Sequence, residues 1–251
     1  MNYQAVLRSS MGTGRLKNQD SGLVLTTITP MGILALGAVC DGMGGLSCGE
    51  VASSHIIRNL MRWMRIRAPY LERFDKLAYE VERVLWQSSQ EIFDYGKSQQ
   101  ITLGSTATIL LLLEGRYVIL HVGDTRGYRM GRGLLGTWNI TQITQDQSVN
   151  DSVLTQCIGS GAPLKPAVYE GRYHKGDVFL LCSDGLRHHN QPKELLHPFL
   201  KEGGLFQSFY KKEEKKERYE KHLDRFMERA RSLGEEDDIT GILIWGQPSA
   251  V

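Results

Sequence analysis

Short stretches of alternating or continuous apolar residues, punctuated by glycine and aspartate, run through most of this chain. Ser21 to Ile28 and Gly32 to Cys40 flank Thr29-Pro30-Met31 and predict a β-hairpin. From about Gly49 to Arg65 the apolar positions recur at helical spacing through Val51, Ile56, Ile57, Leu60, Met61 and Met64. A second helix is predicted from about Leu71 to Lys97, with Phe74, Leu77, Ala78, Val81, Val84, Leu85, Ser88, Ile92 and Tyr95 on one side. Strands then dominate, at Thr106 to Glu114, Tyr117 to Val122, Gly127 to Met130, Val168 to Tyr173 and Val178 to Cys182. A last long helix, about Phe206 to Leu233, turns Tyr219, Leu223, Phe226, Ala230 and Leu233 inward, and Ile239 to Trp245 reads as the final strand. Helical stripes this wide lie flat on a sheet, so their side chains belong to the core.

Strand, helix pair, strands, helix, strand suits an α+β architecture in which helices cover two packed, mainly antiparallel β-sheets. No repeat, linker or low-complexity segment divides the chain, and residues 1–251 are expected to form a single domain. The composition, 41% hydrophobic and 23% charged, is that of an ordinary globular protein. A net charge of +2 argues against a nucleic-acid partner, which would call for a marked basic excess. Arg58, Arg62, Arg65 and Arg67 read as a solvated helix face, as does the mixed-sign segment from Lys211 to Arg218. Met1 to Gln19 has no apolar core of a signal peptide, and no apolar run is long enough to cross a bilayer. Cys40, Cys48, Cys157 and Cys182 show no CxxC spacing, and Cys40 and Cys182 sit in buried-strand patterns. The expectation is a cytoplasmic, monomeric protein with reduced cysteines and no membrane contact.

The chemistry lies where the apolar runs end. Asn18-Gln19-Asp20, Asp41-Gly42-Met43-Gly44-Gly45, Gly123-Asp124-Thr125-Arg126, Ser183-Asp184-Gly185 and Glu236-Asp237-Asp238 each border such a run. Aspartates at strand ends, beside glycines that let the backbone turn sharply, can converge although far apart in sequence. A lone Asp there is normally a turn or cap residue. Taken together they predict a site for hard divalent cations, which prefer carboxylate, carbonyl and water oxygens.

The order and wording of these segments resemble the bacterial metal-dependent (PPM-type, type 2C) protein serine/threonine phosphatases. The resemblance runs from Gly14-Arg15-Leu16-Lys17-Asn18-Gln19-Asp20 through Val39-Cys40-Asp41-Gly42-Met43-Gly44-Gly45, Gly104-Ser105-Thr106-Ala107-Thr108, His121-Val122-Gly123-Asp124-Thr125-Arg126-Gly127 and Leu181-Cys182-Ser183-Asp184-Gly185-Leu186 to Asp237-Asp238-Ile239-Thr240. It implies an αββα four-layer sandwich. It also implies hydrolysis of phosphoserine and phosphothreonine in proteins, through a bridging water activated by two Mn²⁺ or Mg²⁺ ions. Asp41 is the expected bridge, with the Gly42 carbonyl as a further ligand; Asp184 and Asp237 complete the shell, and Asp20 supports it. Arg15 matches the phosphate-binding arginine, whose planar guanidinium can hold two phosphoryl oxygens at once. Asp124 either helps hold a third, weaker ion together with Asp184 or is a structural Asp at its turn. The implied partners are phosphoprotein substrates, a cognate bacterial Ser/Thr kinase and that kinase's targets.

This chain also departs from the resembled pattern. Position 19 is Gln where Glu is usual, which removes a charge near the metals. Position 238 is Asp where Asn is usual, which adds one and is expected to offset the loss in part. The pair His188-His189 replaces a more acidic segment; adjacent side chains diverge, so surface histidines on a turn are expected. Little separates Thr144-Gln145-Asp146-Gln147-Ser148 from Leu154-Thr155-Gln156-Cys157-Ile158-Gly159, so the flap beside the site is predicted to be truncated. Two other functions stay open: a regulator phosphatase acting on a phosphorylated anti-sigma antagonist, and a catalytically weak pseudophosphatase that binds phosphoproteins. Arg15 weighs against the first and the retained aspartates against the second.

Overall fold

In the computed structural model, which describes residues 2–43, 48–132, 137–149, 153–191, 194 and 212–247, the chain enters as strand β1 (Asn2–Ser10). The predicted hairpin follows as β2 (Asp20–Thr29) and β3 (Gly32–Met43), paired antiparallel from Thr29 opposite Gly32 to Asp20 opposite Asp41. Helices α1 (Gly49–Ile66) and α2 (Leu77–Gln99) come next, then β4 (Gly104–Ser105), β5 (Ala107–Leu113), β6 (Arg116–Val122), β7 (Arg126–Arg132) and β8 (Trp138–Gln142). Two-residue strands β9 (Ser148–Val149) and β10 (Val153–Leu154) pair with each other. The chain then runs through β11 (Ala167–Arg172), β12 (Val178–Cys182), the single turn α3 (Asp184–Arg187), α4 (Lys212–Ser232) and β13 (Ile239–Gln247).

Two antiparallel sheets result, ordered β1-β13-β12-β7-β8 and β11-β6-β5-β3-β2, with β4 pairing the end of β3. β3 and β5 are apolar on both faces because both faces are covered. Leu34, Leu36, Ala38, Ile109 and Leu111 pack toward Ile56, Leu60, Val81 and Leu85 of α1 and α2. Ala35, Val39, Leu110 and Leu112 meet Phe179, Leu181, Ile242 and Ile244 of the opposite sheet. The sheets approach closely at Gly37, where a Cβ would stand 2.2 Å from Ile244 Cδ1. On the far side Tyr219, Leu223, Met227 and Ala230 of α4 cover Leu180, Leu243 and Trp245. Helices, sheet, sheet and helix make the expected αββα order.

Several boundaries differ from the sequence expectation. The second helix begins at Leu77 rather than Leu71, after a 3₁₀ turn at Phe74–Lys76. Phe74 is drawn under the Arg116 guanidinium, 3.7 Å from ring centre to Cζ, instead of continuing the helical stripe. Tyr95 and Leu233, expected to face inward, are 45% and 54% exposed. The stretch of the last predicted helix before residue 212, residues 44–47 of the Asp41 segment and residues 150–152 lie outside the described residues. β1 and β8 were not legible: each buries a single side chain, Val6 and Trp138, so neither carries an apolar run. Among the described residues no helix is long and apolar enough to cross a membrane. All four cysteines are free, with Cys40 and Cys182 buried.

Candidate active site

Strand register brings the aspartates to one end of the sandwich. Asp20 and Asp41 are direct cross-strand partners on β2 and β3. Asp184 follows β12 and Asp237 precedes β13, neighbouring strands of the other sheet. Asp124 lies in the turn from β6 to β7. Ser183 ties the sheets together by donating from Oγ to Asp20 Oδ2 at 2.7 Å while accepting the Thr240 N–H at 2.9 Å.

The main chain around Asp41 is held on several sides. Its N–H donates to Thr106 Oγ1 (3.0 Å), and its carbonyl accepts from the Thr106 N–H (2.9 Å) and from Ser105 Oγ (2.9 Å). Gly42 donates to the Gln19 carbonyl at 3.1 Å. A Cβ at Gly42 would stand 2.1 Å from the Gly49 carbonyl oxygen, and one at Gly49 would stand 2.4 Å from the Gly42 carbonyl oxygen. Neither position admits a side chain, so the Asp41 strand end can abut the first turn of α1.

The electrostatics show one shared site. Burial raises the Asp41 pKa well above the carboxylate range, and Asp20, Asp184, Asp237 and Asp124 raise it further. Burial likewise raises Asp20 far above its ordinary value, against the hydrogen bonds from Thr240 and Ser183, which lower it. Asp184 is pushed up to about 6 by burial, then by Asp237 and Asp124. Asp124 is raised by burial, with the Arg187 guanidinium opposing.

Carboxylates crowded in this way call for positive charge. Two arginines supply some of it: Arg15 pairs with Asp237, and Arg187 Nη2 donates to Asp124 Oδ2 at 3.2 Å. Asp20 Oδ1 and Asp184 Oδ1 are buried with no protein partner. Among the described residues no three His, Cys, Asp or Glu side chains close into a ready-made coordination shell. An all-oxygen donor set with orphaned buried oxygens and raised pKa values fits hard divalent cations.

Arg187 was missed as a site residue in sequence; its signal was its position three residues after Asp184, which places it on the single turn of α3. The histidine pair departs from expectation too. Both lie in a surface bend as expected, His188 exposed and His189 half-buried, but instead of diverging His188 Nδ1 and His189 Nε2 both reach Glu235 Oε2, at 3.1 and 3.3 Å. Glu235 is nearly buried, and its Oε1 accepts the Asp237 N–H at 2.9 Å, so this cluster braces the Asp237 loop.

The segment facing the predicted flap is short. β9 and β10 form a minimal antiparallel pair, and Thr155 N–H returns to the Gln147 carbonyl at 2.8 Å. Gln147 fastens this segment to the Asp124 turn, its N–H donating to the Gly123 carbonyl at 2.7 Å and its Oε1 accepting the Gly123 N–H at 3.0 Å. Asp146 takes a bidentate contact from Arg126, the closest oxygen 2.6 Å from Nη2.

Residues 13–242 match the family model described as Protein phosphatase 2C. The chain belongs to that family. The chain is similar to the serine/threonine phosphatase stp of Listeria monocytogenes serotype 4b, 26% identical over 96% of this chain and 94% of the relative. The serine/threonine protein phosphatase PstP of Mycobacterium tuberculosis is 30% identical over 71% of this chain and 35% of its own length. A solved bacterial serine phosphatase superposes with a TM-score of 0.80 at 23% identity, covering all of both chains. The PstP catalytic domain, solved in complex with two manganese ions, superposes at 0.75 with 23% identity over 97% of each chain. As a protein phosphatase 2C, this chain is a protein serine/threonine phosphatase of the metal-dependent kind. The αββα layers of this chain are shared with those solved phosphatases.

Proposed function

We propose that this phosphatase hydrolyses phosphoserine and phosphothreonine in bacterial proteins at the cluster formed by Asp20, Asp41, Asp184 and Asp237, opposing a cognate Ser/Thr kinase in the cytoplasm as a single-domain monomer. One observation carries the reading: carboxylates from both sheets meet at one end of the sandwich beside Arg15, where burial and the neighbouring carboxylates raise the pKa of Asp41 and Asp184. Asp41, at the centre of that mutual repulsion, would bridge two ions; Asp184, Asp237 and the Gly42 carbonyl would complete their shell, with Asp20 in support. Two Mn²⁺ or Mg²⁺ ions, when bound, supply Lewis acidity that lowers the pKa of a water and neutralises phosphoryl charge. The manganese pair in the mycobacterial relative supports that number. Arg187 already neutralises Asp124, which favours two ions over a third.

The chain's own residues do the positioning. Arg15 uses one N–H toward Gln19 Oε1 at 3.0 Å and another toward Asp237, leaving further donors of its five for phosphoryl oxygens. Gln19 orients that guanidinium without neutralising it. No side chain is needed as nucleophile, and Ser183 is engaged in holding Asp20. The aspartate cluster supports turnover over a binding-only role, and Arg15 weighs against the anti-sigma regulator role, which is also a phosphatase activity.

The deciding measurement is turnover of a phosphothreonine peptide after EDTA treatment and metal return. Activity should fall at least ~100-fold without metal and return with Mn²⁺ or Mg²⁺ far better than with the larger, loosely coordinated Ca²⁺. Full activity in EDTA would reject the reading. Arg15→Ala should raise the KM for the peptide roughly 10- to 100-fold, the size of one or two charge-assisted hydrogen bonds, while Mn²⁺ affinity measured by calorimetry stays near wild type. An unaltered kcat/KM would return Arg15 to a surface role.

A further inference from the structure

We propose that Asp238 is a positioning residue for Arg15, a two-point clamp on the loop that carries it; the proposal rests on the phosphate role assigned to Arg15 above. Residues 11–19 connect β1 of one sheet to β2 of the other, and Arg15 lies in the middle of that connection. Both ends of the loop converge on one carboxylate. The Gly12 N–H donates to Asp238 Oδ1 at 2.8 Å, and the Gln19 N–H donates to Asp238 Oδ2 at 2.7 Å. Asp238 is 2% exposed, so water does not compete for either bond.

Independent packing marks the same place. A Cβ at Gly12 would stand 2.2 Å from the Glu236 carbonyl oxygen and 2.5 Å from that of Asp237, so the loop presses backbone to backbone on the segment that holds Asp238. From the clamped ends the guanidinium is aimed by two further contacts, to Gln19 Oε1 and to Asp237, the latter also accepting the Asp238 N–H at 2.8 Å. Asp237 thus holds the arginine while Asp238 holds the ends of its loop.

The geometry explains why the residue is an acid. A carboxylate is acceptor-only through two oxygens and satisfies two N–H donors at once. An asparagine offers one oxygen and an NH₂, which would face the second N–H as donor against donor. The charge at position 238 therefore serves the loop, rather than replacing charge lost at Gln19. Gln19 belongs to the same unit: its backbone is clamped by Asp238, and its side chain steers Arg15.

The test is a double-mutant cycle with a phosphothreonine peptide in saturating Mn²⁺, with inorganic phosphate as inhibitor. Asp238→Asn should raise the peptide KM and the phosphate Ki about tenfold and change kcat less than about threefold, because an arginine held out of place loses binding shared by ground and transition states. In an Arg15→Ala background, Asp238→Asn should add less than about twofold. In the wild-type protein, the Gly12 and Gln19 amides should show slow hydrogen exchange although they lie in a loop. Additive effects with Arg15→Ala impaired, an unchanged KM, a raised Mn²⁺ requirement in place of a raised KM, or fast exchange at both amides would each overturn the clamp while leaving the Arg15 reading intact. An Arg15→Ala enzyme with wild-type KM would overturn the phosphate reading and the clamp together.

Discussion

Asp41→Asn should cost at least ~10³-fold in kcat while leaving the metal-free fold as stable as wild type or more so. The carboxylate proposed to bridge the ions is the one whose charge is opposed by Asp20, Asp184, Asp237 and Asp124 together. Losing a bridging ligand removes several kcal/mol of transition-state charge stabilisation, which corresponds to roughly that rate loss. In EDTA the same substitution removes one of a set of crowded like charges and preserves shape, so burial is no longer penalised. The backbone contacts to Thr106 and Ser105 are untouched, and no unfolding is expected. Turnover in saturating Mn²⁺, compared with the melting temperature in EDTA, separates these effects. Wild-type turnover would remove Asp41 from the centre; a melting temperature lowered in step with activity would mean the defect is one of folding.

A second large effect follows from the raised pKa values. Asp184 ordinarily titrates at 3.8 and here is pushed up to about 6. Between those values the folded protein binds more protons than the unfolded chain, so stability falls as pH rises from about 4 to about 6 and stays lower above that window. For Asp184 alone the displacement is worth at most roughly 3 kcal/mol, or about 6–12 °C in melting temperature for a chain of this size. Asp20 and Asp41 are displaced in the same direction and add to it. Bound cations would relieve the repulsion, so Mn²⁺ should raise the melting temperature more at pH 7.5 than at pH 4.5. Exposed carboxylates such as Asp75, lowered by its hydrogen bond from Arg73, act with opposite sign. The difference between wild type and Asp184→Asn, scanned across pH in EDTA, isolates the site. If that difference stayed flat from pH 4.5 to 7.5, the raised Asp184 would be wrong.

Much of this molecule was legible along the chain. Unbroken apolar runs, such as Gly32 to Cys40, predicted strands covered on both faces, and β3 is one, with Leu36 toward the helices and Val39 toward the opposite sheet. Period-2 and period-3.6 patterns are local consequences of backbone geometry, so a single chain displays them without its partners. The aspartates at strand ends were visible for the same reason: a run of β structure must stop somewhere, and the residue that stops it is written next to it. Edge strand β1 was not, since its order comes from pairing with β13, from Asn2 opposite Gln247 to Ser10 opposite Ile239.

What each polar side chain touches was decided only by the tertiary structure. The loop end at Gly12 finds Asp238, Arg15 finds Asp237, and Arg187 finds Asp124, across separations no local pattern spans. His188 and His189, which neighbouring positions should splay apart, both turn to Glu235 because its carboxylate is carried there on the loop leading into β13. Hydrophobic burial is nonspecific and needs only the right kind of residue at the right period, whereas a hydrogen bond needs one partner at about 3 Å in the right direction. The first requirement can be read along the chain; the second exists only after sheet register has placed distant backbones side by side.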